Sequence, residues 1–292
     1  MDYLGDSIGP YTESYMQSNL DRAKYLRQYG PWAVITGASD GTGAAFADQL
    51  AGLGLSLVLI ARKLEALSQL AKSLEEAHGV QTRTASIDLY QPGSGAKVLA
   101  AAADLEVGLF VSNAGADTNN SLFLDAPLSA WQDLVRRNVL AVVEATYGFA
   151  KPMRDRKRGG FIFMSSGAGL GGAPRNAVYG GTKAFDLTFA EALWGELKSH
   201  GIDVIAGVCP PMNTPSLERF QKEAGIQIPG VLDPKDITAD LIAGLPDGPT
   251  RIFGYGPEAA TAPSLELARK ERATSMIQLV KMFAPKQPAE RA

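Results

Sequence analysis

The sequence predicts an α/β chain built on a doubly wound, mainly parallel seven-stranded sheet with helices on both faces. Two observations predict it. From Trp32 onward, short β-rich apolar runs alternate with helical stretches, a spacing that returns each strand parallel to the last through a crossover helix. The apolar runs are also near-continuously hydrophobic rather than alternating, which strands covered on both faces require.

Along the chain, residues 1–30 read as a tyrosine-rich helical extension, with Tyr15, Leu20, Ala23 and Leu26 on one face. A single domain is expected over 31–255. Its strands are Trp32–Thr36, Leu55–Ala61, Thr82–Asp88, Gly108–Ser112, Phe161–Ser165, Asp203–Cys209 and Arg251–Gly254. Its helices are Gly43–Ala51, Lys63–Ala77, Ala130–Ala150, Val178–Ser199 and Pro234–Leu245. Ser129 and Gln132 fit a capping box at the start of the third helix. His78-Gly79 and His200-Gly201 read as helix ends, where a histidine suits the dipole and a left-handed glycine stops the helix. The segment 212–232 shows no clear periodicity and reads as a lid. Residues 256–292 form a second extension with a helix over Ser264–Phe283 and a Pro-containing tail.

Composition narrows the function. With 46% hydrophobic and 20% charged residues, the 292-residue chain is ordinary globular protein. A net charge of −3, with no basic stripe, gives no reason to expect nucleic acid. The dense group Arg154-Asp155-Arg156-Lys157-Arg158 reads as the solvated end of a helix. One cysteine, Cys209, and two distant histidines leave no disulfide and no metal cage to expect. The acidic start lacks the pattern of a secretory signal, and the longest uncharged run, Gly159 to Pro174, is too glycine-rich to span a membrane. A soluble protein of the reducing cytoplasm is expected.

The string Thr36-Gly37-Ala38-Ser39-Asp40-Gly41-Thr42-Gly43 follows the first strand and opens the first helix. Glycines there permit a tight turn and close backbone approach to a pyrophosphate, which the helix N-terminus attracts. The second strand ends Ala61-Arg62. An acid at the position of Ala61 would bind the ribose 2′-hydroxyl of NAD, whereas an arginine such as Arg62 accommodates the extra phosphate of NADP. NADP(H) is therefore favoured over NAD(H), although Asp40 in the loop opposes a nearby phosphate.

Tyr179 and Lys183 stand four residues apart in an expected helix, so they share one face. An ammonium beside a phenol stabilises the phenolate, making it an acid for reduction and a base for oxidation. Tyr147 and Lys151 have the same spacing, but what precedes each pair separates them. Thirteen residues before Tyr179 is Ser166, a hydroxyl just past a strand; thirteen before Tyr147 is Leu134. Pro152 also disturbs the helix next to Lys151.

These motifs together resemble the short-chain dehydrogenase/reductase family over about residues 32–255, which implies a Rossmann-type domain. The matching residues are the Thr36–Gly43 loop, Asp88, Asn113-Ala114-Gly115, Asn138, Ser165-Ser166 and Tyr179-Gly-Gly-Thr-Lys183. The resemblance implies that Asp88 contacts the adenine and that Asn113, Ala114 and Gly115 line the middle of the cofactor. Likewise, Asn138 would support a water relaying protons to Lys183, Ser166 would orient a carbonyl, Tyr179 would transfer the proton, and Lys183 would also bind the nicotinamide ribose. Ser112 and Thr182 are mild departures from the family pattern. Pro210-Pro211 replaces the usual Pro-Gly beside the cofactor, and Thr214 fits the threonine near the carboxamide. The stretch Gly30 to Gly41 looks like the branch holding 17-beta-hydroxysteroid dehydrogenases and long-chain 3-ketoacyl-CoA reductases.

The expected function is hydride transfer between NADP(H) and a carbonyl or secondary alcohol. Phe220, Ile226, Ile228, Val231 and Leu232 in the lid point either to a hydrophobic, steroid-like or acyl substrate or simply to lid packing. The alternatives are a catalytically silent NADP-binding regulator or scaffold, and an isomerase or epimerase on the same fold. A homodimer or homotetramer is expected through the long helices Ala130–Ala150 and Val178–Ser199.

Overall fold

The computed structural model describes residues 20–116, 121–254 and 262–283. Helix α1 (Arg22–Tyr29) leads into β1 (Trp32–Thr36), α2 (Gly41–Gly52), β2 (Ser56–Ala61), α3 (Leu64–His78) and β3 (Thr82–Ser86). Helix α4 (Ser94–Ala100), β4 (Val107–Ser112), α5 (Leu128–Val135), a π turn (Arg136–Leu140) and α6 (Ala141–Arg156) follow. The chain continues as β5 (Gly159–Ser166), α7 (Ala177–Leu197), β6 (Ile202–Cys209), α8 (Pro215–Ala224), α9 (Pro234–Gly244), β7 (Thr250–Ile252) and α10 (Ala262–Phe283).

Seven strands form one sheet in the order β3-β2-β1-β4-β5-β6-β7, and every pairing is parallel. The winding reverses between β1 and β4, so the connections leaving their carboxyl ends diverge and open a crevice, the usual ligand position in such sheets. Alternate residues of each central strand feed opposite cores. Ala33, Ile35, Leu57, Leu59, Leu109 and Val111 face one side with α1, α2, α3 and α9. Val34, Val58, Ile60, Phe110, Phe161 and Phe163 face the other with α4, α6 and α7. Both faces are dry, which is why the strands read as unbroken apolar runs.

Several expectations change. Pro127 is the N-cap of α5 and no side chain caps that helix, so Ser129 lies inside the first turn and makes no capping box. Pro152 sits within α6, which nevertheless continues to Arg156. The Arg154–Arg158 group is not simply solvated. Arg156 donates to Val107 O at 2.7 Å, and Arg158 bonds Glu106 and the carbonyls of Arg27 and Gly30. These contacts tie the end of α6 to α1 and β4. On α1 the buried residues are Tyr25 and Tyr29, while Ala23 is exposed; the Tyr29 hydroxyl donates to Asp203 at 2.8 Å. Tyr15 lies outside the described residues. The helix α4 has no counterpart in the sequence reading, because its seven residues are too few to show a period. The segment 212–232 contains α8, whose Thr214 hydroxyl accepts from Leu217 N at 3.3 Å. Both chain ends of this segment meet where Met212 bridges Leu232.

Beyond β7, α10 packs on the sheet edge and on α7, where Arg269 pairs with Glu191 at 2.7 Å. Nearby, the fully buried Asp240 of α9 lies 3.4 Å from Arg251. Burial pushes its carboxyl up to about 7, outweighing the pull of Arg251, with Glu266 and Asp247 adding to the rise. A carboxyl raised on folding contributes its full stability below its unfolded value, about pH 4, and loses that contribution as pH climbs through the folded value. Thermal melts from about pH 4 to about pH 8 should therefore show wild type losing ground to Asp240→Asn as pH rises; parallel curves for the two proteins would refute the assignment.

Candidate active site

The glycine turn begins where β1 ends. Gly37 has φ of 69°, and a Cβ placed on Gly43 would lie 2.0 Å from Gly37 O, so only two glycines allow the turn to fold so tightly. Asn113, just past β4, braces it: its side-chain amide donates to Thr36 O and Gly37 O, both at 3.1 Å. The backbone amides of Asn113 and Ala114 donate back to the Thr36 hydroxyl. Asp40 occupies the N-cap of α2, but its side chain accepts nothing from the first turn. The opening of α2 thus keeps amides for an anion, with Ser39 half-buried and Thr42 buried beside it.

At one end of the crevice, Arg62 is exposed after β2, and its guanidinium lies 5.7 Å from the Tyr90 ring centroid. Asp88 accepts from Tyr90 N at 3.2 Å and from the Gln91 side chain at 3.4 Å, which shapes the turn after β3. Arg137 stacks on Tyr90 at 4.7 Å and bonds its hydroxyl; it also donates to Ala116 O and to Asn138 Oδ1. Tyr90 and Arg137 were missed in the sequence reading. An aromatic next to Asp88 and an arginine next to Asn138 were visible there, but their meeting across 47 residues was not.

Beside Arg137, the π turn aims Asn138 inward, and its amide donates to Thr182 Oγ1 at 2.9 Å and Gly115 O at 3.4 Å. A Cβ on Gly115 would lie 2.6 Å from Lys183 Nζ and 3.5 Å from Asn138 Oδ1, so the three residues share one small space. Ser166 ends β5, where its hydroxyl accepts from Ala168 N at 3.3 Å. The turn behind it packs on the start of α7, since a Cβ on Gly180 would touch Ala168 O and one on Gly169 would touch Lys183 backbone. Tyr179 lies in the first turn of α7, half-buried, and its hydroxyl makes no hydrogen bond among the described residues. Tyr147, of the competing pair, is 78% exposed.

Lys183 has partners that the sequence did not announce. Its ammonium, 4% exposed, donates to Met164 O at 2.6 Å and to Asp186 Oδ2 at 3.0 Å, and no bond joins it to Tyr179 or Asn138 among the described residues. Asp186 was also missed, although its place one further turn along the Tyr179–Lys183 face was readable. On the last side, Pro210 is buried after β6. Thr214 stands against the glycine turn: a Cβ on Gly41 would meet its methyl at 3.0 Å.

A family model described as short chain dehydrogenase matches residues 31–225. The chain belongs to the short-chain dehydrogenase family. Its likeness to a very-long-chain 3-oxoacyl-CoA reductase-B of Danio rerio is 35% identity over 207 residues, 70% of this chain and 65% of that protein. Likeness to human 17-beta-hydroxysteroid dehydrogenase type 3 is 37% over 189 residues, 64% and 60% of the two chains. This short-chain dehydrogenase therefore sits in the branch that holds both, though the match spans less than two thirds of either relative's length. A solved short-chain dehydrogenase from Sphingobium yanoikuyae in complex with NADPH superposes with a TM-score of 0.71 at 27% identity, over 90% of this chain and 99% of that one.

Proposed function

We propose that the protein is an NADP(H)-dependent oxidoreductase that interconverts a carbonyl and a secondary alcohol on a bulky, apolar substrate. The observation that carries it is that Asn138, Gly115 and Lys183 share one small space while the turn after Ser166 packs on the start of α7, which carries Tyr179, with the glycine turn and Asn113 along the same crevice. The crevice suits a dinucleotide because a close glycine approach and an uncapped helix start lie together, with Arg62 at the adenosine end.

When bound, the cofactor gives or accepts the hydride at its nicotinamide ring. The chain's own residues do the rest. Ser166 orients the substrate oxygen, and Tyr179 donates its hydroxyl proton to that oxygen in reduction or removes it in oxidation. Lys183, buried one helical turn along the same face of α7, brings a positive charge to that side of the helix, while Asn138 holds the Gly115–Thr182 wall of the lysine's site. Arg62 would pair with the 2′-phosphate. A hydrogen bond to a charged group contributes about 1.5–3 kcal/mol, so Arg62→Ala should raise the KM for NADPH by about ten- to a hundredfold with little change for NADH. Equal losses with both cofactors would remove Arg62 from this role.

Support for an apolar substrate comes from the names of the two relatives and from Leu170 and Ile226, 41% and 44% exposed on segments beyond the carboxyl ends of β5 and β6. The decisive assay is NADPH oxidation with and without bulky ketones. Ketone-dependent turnover supports the oxidoreductase; binding of NADPH without turnover would favour a silent regulator, and redox-neutral conversion an isomerase. A cytoplasmic setting belongs to the same proposal, supported by the single buried thiol; no described helix is long and apolar enough to cross a membrane.

Self-association is also proposed, through the exposed apolar row Leu128, Leu140, Val143 and Tyr147 on α5, the π turn and α6. The second half of α7 is less suited, being covered by α10 where Ile277 packs on Gly195. Light scattering should show a dimer or tetramer, and a monomer at all concentrations would end the idea.

A further inference from the structure

Tyr179, Lys183 and Asp186 occupy positions i, i+4 and i+7 of α7, one stripe along a single helix face. Two of the three form an ion pair with side chains only 5% exposed. Asp186 Oδ2 accepts from Lys183 Nζ at 3.0 Å, whereas Asp186 Oδ1 is buried without a partner. Burial pushes the Asp186 carboxyl up, against the pull of Lys183. Of the groups that face the pair, Met164 O on β5 accepts the lysine's other bond. The Cys209 thiol on β6 is pushed up to about 12 by burial, and Asn138 and Thr182 are neutral. Asp186 is therefore the one anion bonded to this ammonium among the described residues.

A buried ammonium with a carboxylate in contact exerts far less field at a third site than a bare one, because the two charges oppose each other over a short distance. We propose that Asp186 is a positioning residue for the reaction: it holds Lys183 at the Met164 end of its site and opposes its charge, so that less of the lysine's field reaches the rest of the Tyr179–Lys183 face. The inference rests on the oxidoreductase reading. In that reading, Lys183 is the cation that serves Tyr179, and Asp186 competes for it.

Two readouts test it in the cofactor-loaded protein: the pH profile of alcohol oxidation, and tyrosinate absorbance during an alkaline titration with the Tyr179→Phe signal subtracted. Asp186→Asn should move both the rising limb of the rate profile and the Tyr179 absorbance to lower pH by about one unit, a tenfold change in proton concentration. In a Lys183→Met background the same substitution should leave the absorbance where it was. A titration unmoved by Asp186→Asn, or one still moved without the lysine, overturns the proposal. If Asp186→Asn does not fold, the Lys183→Met/Asp186→Asn double variant should fold, because removing both charges leaves neither one buried alone; failure of the double variant also overturns it. The two readings separate cleanly. Absorbance that shifts without any ketone turnover would sink the oxidoreductase and keep the charge-sharing pair. Turnover that depends on Tyr179 but ignores Asp186 would do the reverse.

Discussion

Tyr179→Phe should lower kcat/KM for ketone reduction by about 10²–10⁴-fold, the range for loss of a positioned acid, while NADPH affinity and melting temperature stay close to wild type. The structure makes the separation sharp. The Tyr179 hydroxyl has no hydrogen-bonding partner among the described residues, so its removal breaks no structural bond. Its ring remains in the first turn of α7, and the glycine turn, Asn113 and Arg62 are untouched. Lys183 keeps both bonds, to Met164 O and Asp186. The fall should therefore lie in kcat, the mark of an interaction made chiefly in the transition state. Steady-state kinetics and a fluorescence titration with NADPH check both halves. Full turnover in the phenylalanine variant would strip Tyr179 of the acid/base role.

Gly43→Ala should give the second large effect, this time on cofactor binding. The added methyl would sit 2.0 Å from Gly37 O and 2.8 Å from the Asn113 side-chain amide. Neither neighbour is the free end of a flexible side chain. Gly37 O is backbone in the turn, and the Asn113 amide is already bonded to it and to Thr36 O. Relief requires opening the turn and breaking that brace. Overpacking of this kind costs about 1–3 kcal/mol, and the loss falls on the atoms that must approach the pyrophosphate. NADPH affinity should therefore drop by about ten- to a hundredfold, with the melting temperature reduced as well. Unchanged affinity would show that the turn does not cradle the dinucleotide.

The residues of the site were unevenly legible. The glycine string declares itself because its geometry is local: a strand, a tight turn and a helix start lie within a dozen positions. Tyr179 and Lys183 declare themselves because helical spacing puts them on one face, and Ser166 separates them from Tyr147 and Lys151. The lysine's actual partners were not legible. Met164 arrives from the neighbouring strand, and the Asp186 carboxylate is drawn to Lys183 only because both are buried together. Arg156 and Arg158 likewise looked like a solvated helix end, since nothing near them in sequence announces the carbonyls of Val107 and Gly30 that they reach.

Class, the order of the strands along the chain and the chemistry-bearing motifs were properties of the sequence alone, because apolar continuity, helical period and glycine placement act over a few residues and need no distant partner. The tertiary structure alone decided how those motifs meet. Pairing β1 with β4 brings Thr36 against Asn113, 77 residues away, and opens the crevice. The packing of α7 on β5 then sets Lys183 between Met164 and Asp186. Local rules make the strands and helices. Which charge finds which counter-charge depends on where the sheet order places them and on how completely the core removes water around them.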